Sequence, residues 1–221
     1  KIYLNGIFIE DFISGYLPIE IEITNNIKEG KNHLVVVVDS REDKLIPPFG
    51  FVVDYLTFGG IYRDVFLIEK PKVYIKDLFV HGSMNGKLTI KRTISDNATK
   101  NTKLMYELLY KNKLVKKFNE DSIIIDNVKL WSIDEPNLYT LKATLKDENN
   151  IDTFIVRFGF KDAIFKKDGF YLNNQKIKIL GLNRHQSYPC VGYAMPKLMQ
   201  EEDALILKNE IGVNAVRCSH Y

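Results

Sequence analysis

The sequence predicts a mainly β chain: two β-sandwich segments followed by the first βαβ unit of a (β/α)8 barrel. Three observations predict it. Residues 1–70 break into short strand-like runs with no helical period, and residues 71–161 carry longer strand patterns at regular spacing, as an immunoglobulin-like sandwich does. Residues 162–221 then end on two apolar runs, each closed by polar, proton-handling side chains: GLNRHQSYP from Gly181 and GVNAVRCSHY from Gly212. An amphipathic helical pattern separates these runs, and strand, helix and strand in that order make a right-handed parallel unit by default.

Each element has its own justification. IYLNGIFIE reads as two short strands around Asn5-Gly6, a pair suited to the left-handed conformations of a tight hairpin turn. IEIEIT (residues 19–24) alternates strictly, as a half-buried strand would. LVVVVD (residues 34–39) is apolar throughout, as a strand covered on both faces would be, and IYRDVFLI (residues 61–68) is a further strand. Residues 40–60, rich in Pro, Gly and aromatics, form a long loop of the kind that is commonly functional.

Pro71 marks a boundary. YIKDLFVHG, KLTIKRTI, KLMYELLY, SIIIDNVKL, LYTLKATLK and DTFIVRFGF follow as strands, with turn signals at Met84-Asn85-Gly86 and Glu148-Asn149-Asn150. Trp131 and residues 136–139 are assigned to the sandwich core. Residues 165–180 read as a hairpin turning at Asn173-Asn174 and leading into the first barrel strand, whose apolar run is Ile177, Ile179 and Leu180. Pro196 suits a first helical turn, Glu201, Glu202 and Asp203 put negative charge towards the helix start, and Gly212 is placed to end it. Ala204, Leu207 and Ile211 make one stripe expected to be buried, and Val213, Ala215 and Val216 form the second barrel strand. Two strands of eight leave open edges, so this tail is expected to be the least protected part, or to be covered by another copy of the chain.

Composition excludes several classes. With 45% hydrophobic and 27% charged residues, the 221-residue chain (25.6 kDa) matches an ordinary globular protein. A net charge of +3 without a basic block argues against a nucleic-acid partner, and no apolar run approaches membrane-spanning length. Cys190 and Cys218 read as two free thiols, belonging to no CxxC pair. The chain opens on KIYLNG, already inside a strand, so a signal peptide would lie upstream; a cytoplasmic location is the expectation.

The ends of parallel barrel strands are where such folds keep their chemistry, which singles out Asn183, Arg184 and His185 after the first run and Arg217, Ser219 and His220 at the second. Taken alone, a histidine there is more often a hydrogen-bonded structural residue, and Arg184 and Asn183 are assigned to structure. LNG and GYLPIEIEIT, then DYLTFGGIYRDV, WSIDEPNLYTL, VRFGF, GLNRHQSYPCVG and NAVRCSHY together resemble glycoside hydrolase family 2, and within it the β-galactosidases most closely. The resemblance implies the order jelly-roll sugar-binding domain (1–70, partial), immunoglobulin-like sandwich (71–161) and catalytic barrel (from 162, truncated). It implies a retaining exo-β-glycosidase that hydrolyses terminal β-D-galactosyl residues with two glutamates from later barrel strands, beyond Tyr221, so the chain alone is expected to be inactive. It further implies substrate-binding roles for His185 and His220 as histidines lining the galactosyl subsite, for Arg217 beside them, and for Asp54, which reaches from the jelly roll to a sugar hydroxyl. Many relatives carry an acidic residue where this chain has Gln186. No cofactor or metal is expected within the chain, although a divalent metal in the longer enzyme fits the resemblance; the expected partner is a carbohydrate, and a homo-oligomer is compatible with it. The competing readings are a β-glucuronidase or β-mannosidase of the same family, and a non-catalytic carbohydrate-binding sandwich.

Overall fold

The structure, a computed structural model, describes residues 1–13, 16–41, 43–46, 58–148 and 150–218. It falls into two compact units, Lys1–Phe66 with Leu180–Tyr221, and Leu67–Ile179.

In the first unit, β1 (Ile2–Leu4) and β2 (Ile7–Glu10) form the expected antiparallel hairpin, with Asn5 at φ 54° and Gly6 at φ 82° in its turn. The Asn5 side chain also accepts from His33 N at 3.0 Å and donates to Asn26 O at 3.0 Å. This holds β3 (Leu34–Val36) against β1 in the order β2-β1-β3. Three expectations fail here. The 34–39 run is a strand only over Leu34–Val36, and Leu34 is 50% exposed, because β3 lies at a sheet edge rather than between two layers. Residues 19–24 are not a strand and end in a 3₁₀ turn, Thr24–Asn26; residues 61–68 are not a strand either, with Val65 and Phe66 largely exposed. Alternation and apolarity set a tendency, but a strand exists only where a ladder partner takes up its N–H and C=O groups.

The second unit carries the sandwich. β4 (Ile75–Gly82), β5 (Lys87–Ile94), β6 (Lys103–Tyr110), β7 (Lys113–Phe118), β8 (Ser122–Ile124), β9 (Tyr139–Asp147) and β10 (Asn150–Phe158) make a four-stranded sheet, β10-β9-β6-β7, and a three-stranded one, β4-β5-β8. Period-two burial is clearest on β9, where Tyr139, Leu141, Ala143 and Leu145 are all buried and alternate with partly exposed neighbours. They join Tyr106, Leu108, Ile75, Leu88, Ile90, Phe158 and Phe160 in one core, each large side chain contributing about 1.5–3 kcal/mol of hydrophobic stabilisation. The strand over 113–118 was not expected. Its KLVKKF sequence is exposed except at Phe118, as suits an edge strand blunted by lysines, and the signal for it was the turn at Lys111 (φ 48°) and Asn112 (φ 62°). β8 is shorter than the 122–130 stretch expected. Tyr139 is in the core, but Trp131 is half-buried and Pro136 exposed, so that segment sits at the margin. There Lys161 Nζ lies 4.2 Å from the Trp131 ring centre, and a Cβ on Gly159 would come within 2.6 Å of Trp131 Cβ.

Asp147 closes β9 as a buried carboxylate that accepts from the Thr99 hydroxyl at 2.8 Å and from that of Thr102. These hydroxyls, Thr102 first and Thr99 second, hold its pKa below the usual value of a carboxylate. A folded-state pKa depressed in this way adds stability that is fully present above the unfolded pKa, about 3.9, and is lost as pH falls through the folded value. Asp147→Asn is therefore expected to flatten the acid limb of a urea-stability profile below about pH 4 relative to wild type; parallel acid limbs would refute this.

β11 (Ala163–Lys166), β12 (Gly169–Leu172) and β13 (Gln175–Ile177) form an antiparallel meander, with the expected turn at Asn173 (φ 48°) and Asn174 (φ 65°) and a further strand before it. Ile177 pairs with Phe170 in this meander, so the first barrel strand starts later than predicted. That strand is β14 (Gly181–Arg184), and β15 (Ala215–Cys218) pairs with it in parallel. Between them, α1 (Lys197–Leu205) is entered from Pro196 and continues as a wide helical turn, Ile206–Ile211, that Gly212 ends at φ 79°. The stripe predicted to be buried is not: Ala204 and Ile211 are exposed and Leu207 is half-buried, because a helix face is covered only where a second surface meets it.

Candidate functional site

The parallel pair brings Asn183, Arg184 and Arg217 to one strand end. Gly181 lies opposite Ala215, where a Cβ would sit 2.9 Å from the Ala215 carbonyl oxygen, so glycine permits the approach. Two steps on, Asn183 faces Arg217 and Arg184 faces Cys218. Arg217 donates from Nη1 to the side-chain oxygen of Asn183, Oδ1, at 3.4 Å. Arg184 is committed differently: Nε and Nη2 donate to Asp203 Oδ2 at 2.9 and 2.6 Å, tying β14 to α1 through a half-buried ion pair. His185 follows directly and is half-buried. Arg217 thus lies beside Asn183, one register step before Arg184. His220 and Asp54 lie outside the described residues.

The loop after β14 contains residues that sequence reasoning missed. Tyr188 and Gly192 exchange backbone hydrogen bonds at 3.2 and 2.9 Å, with Cys190 at φ 71° and Gly192 at φ 54° inside the turn. Tyr193 and Met195 are then buried. The Tyr193 ring meets Phe58 at 4.7 Å and Tyr62 at 5.6 Å between centroids, both edge-on, and its carbonyl accepts from the Arg63 guanidinium. Asp203 was read only as helix-end charge, and its pairing with Arg184 joins residues 19 apart. The signal for Tyr193 was an aromatic residue held within a Pro- and Gly-bearing loop, PCVGYAMP.

Among the described residues, no group of three His, Cys, Asp or Glu side chains is assembled that would hold a metal ion, and both cysteines are free and exposed. Among the described residues, no helix is long and apolar enough to cross a membrane. A shallow concavity bounded by Phe165, Asp168, Phe170 and Lys176 belongs to the other unit and carries none of the expected site residues.

Comparison with known proteins agrees with the order of a sandwich followed by the start of a barrel. Residues 73–161 match the model described as glycosyl hydrolases family 2, and residues 164–221 match glycosyl hydrolases family 2, TIM barrel domain. The whole chain is 45% identical to a beta-galactosidase of Thermoanaerobacterium thermosulfurigenes, covering 34% of that relative's length. A crystal structure of a beta-glycosidase from Bacteroides vulgatus superposes on 99% of the chain with a TM-score of 0.83 and 28% identity, covering 29% of that protein. The Parabacteroides merdae beta-glucuronidase does so over 83% of the chain, with a TM-score of 0.73 and 26% identity, covering 26% of that protein. The chain spans about a third of the length of the curated relatives it matches. With a sandwich and the opening strands of a barrel in the family's own order, the chain belongs to glycosyl hydrolase family 2.

Proposed function

We propose that this chain forms the sugar-binding flank of a retaining exo-β-glycosidase acting on terminal β-D-galactosyl residues. The observation that carries the reading is the parallel β14–β15 pair, which sets Asn183 and Arg217 side by side at the strand end that continues into His185. Identity of 45% to a beta-galactosidase along the whole chain favours galactose as the sugar. In this reading His185, His220, Arg217 and Asp54 contact the sugar. Imidazole and carboxylate groups bond its hydroxyls, and these bonds tighten as the ring flattens towards the oxocarbenium-like transition state. Arg217 supplies positive charge beside them. The two carboxylates of the retaining mechanism come from sequence outside this chain, as do the ligands of any divalent cation the longer enzyme holds.

A beta-glucuronidase is the second reading, favoured by the structural likeness to the Parabacteroides merdae protein. Assays of the complete protein with aryl β-galactoside, β-glucuronide and β-mannoside decide between them; the galactoside is expected to show the highest kcat/KM, and a preference for the glucuronide would replace the first reading with the second. The 221-residue chain by itself is expected to show no turnover above background. Activity that co-purifies with it from a host lacking its own β-galactosidase would refute the need for outside carboxylates.

A further inference from the structure

We infer that Arg63 and Tyr193 are positioning residues: they latch the loop after β14 onto residues 58–63 and thereby fix the His185 end of that strand for sugar binding. The inference rests on the reading of this strand end as a sugar subsite.

The latch is built from parts 130 residues apart in the chain. Tyr193 is 3% exposed although it sits in a loop, and a loop aromatic is buried only where specific partners receive it. Phe58 and Tyr62 receive its ring edge-on, and Arg63 donates to its carbonyl oxygen while its own Cζ lies 5.1 Å from the Tyr62 ring centre. The fit is close on the loop side too. A Cβ on Gly192 would stand 3.0 Å from the Phe58 ring, and the reciprocal bonds between Tyr188 and Gly192 stiffen the turn.

From this anchor a line of contacts leads to the strand end. Two residues after Tyr193, the buried Met195 places its Sδ 3.5 Å from Arg184 Nη2, the same nitrogen that, with Nε, donates to Asp203 on α1. His185 is the next residue. Loss of the Arg63 bond frees the loop, then the packing at Met195, then the orientation of Arg184 and His185. No residue of this line belongs to the sandwich core, so loosening it need not unfold the sandwich. Its cost falls on the site, where a displacement of about 1 Å can cost on the order of 10²-fold in rate.

The test uses the complete protein with Arg63→Met, Arg63→Lys and Tyr193→Ala. Arg63→Met keeps the aliphatic stem and deletes the donors; Arg63→Lys restores a charged donor without the planar fork. On aryl β-galactoside, Arg63→Met and Tyr193→Ala are expected to lower kcat/KM by about 10- to 100-fold, with Arg63→Lys between them and wild type. Hydrogen exchange of wild type and Arg63→Met gives the second readout: amides of residues 181–195 are expected to exchange at least about tenfold faster in the variant, with those of β9 and β10 unchanged. Unchanged exchange at 181–195 overturns the latch. Faster exchange with kcat/KM at the wild-type level, or a lowered Tm with unaltered kinetics, overturns the positioning role. If the wild-type protein cleaves no glycoside offered, the sugar reading falls with the positioning role, and exchange still decides whether the latch exists.

Discussion

In the complete enzyme, His185→Ala is expected to lower kcat/KM for an aryl β-galactoside by about 10²- to 10³-fold, the range typical of deleting one preorganised donor to a transition state. At this strand end Arg184 pairs with Asp203 and Asn183 meets Arg217, and His185, the next residue and half-buried, is the imidazole that the proposed reading sets against the sugar. An imidazole carries two ring nitrogens, a type of group that can bond sugar hydroxyls. Because such bonds strengthen as the ring distorts, the loss is expected mostly in kcat, with a smaller rise in KM. A transition-state-like lactone should also lose more affinity than galactose does. A kcat/KM within threefold of wild type, with the fold intact by circular dichroism, would assign His185 to structure alone.

The second large effect lies in the sandwich: Phe160→Ala is expected to destabilise it by about 3–5 kcal/mol. Phe160 is fully buried, its ring edge-on to Tyr139 at 5.0 Å and to Phe158 at 5.2 Å. Its backbone is fixed as well, since Trp131 N donates to its carbonyl at 2.9 Å and it bridges in parallel to Gly82 and Leu130. A rigid surround collapses poorly, which puts the loss towards the upper part of the range. Gly82 supplies an internal control. A Cβ there would lie 2.7 Å from Phe160 Cδ1 and 2.9 Å from Phe158 Cε2, so Gly82→Ala alone overpacks the core and costs about 1–3 kcal/mol. In the double variant the new methyl enters the space the ring has left, and the combined loss should fall short of the sum. Additive urea-unfolding energies would show that Gly82 and Phe160 do not share that space.

Several features were legible because their causes are local. The hairpin at Asn5-Gly6 and the turn at Asn173-Asn174 follow from residues that tolerate positive φ. β5 and β6 run over the stretches predicted, and β4, β9 and β10 come within two residues of theirs, since alternation with period two survives wherever one face of a strand meets the core. The helix entered from Pro196 and ended at Gly212 was equally readable, because both residues act through their own backbone angles.

What the sequence by itself determined is the tight turns, the helix, the sandwich strands β4, β5, β6, β9 and β10, and the strand end that carries Asn183, Arg184, His185 and Arg217. Tertiary structure alone decided which apolar runs became strands. LVVVVD shortened at a sheet edge, residues 61–68 stayed out of any ladder, and Ile177 joined Phe170 rather than the barrel. It also decided that Arg184 answers Asp203 and that Tyr193 docks on Phe58, Tyr62 and Arg63. The reason is range: backbone preference is set within a few residues, whereas a ladder partner, an ion pair or a covering surface is supplied by chain distant in sequence, whose arrival no local pattern records.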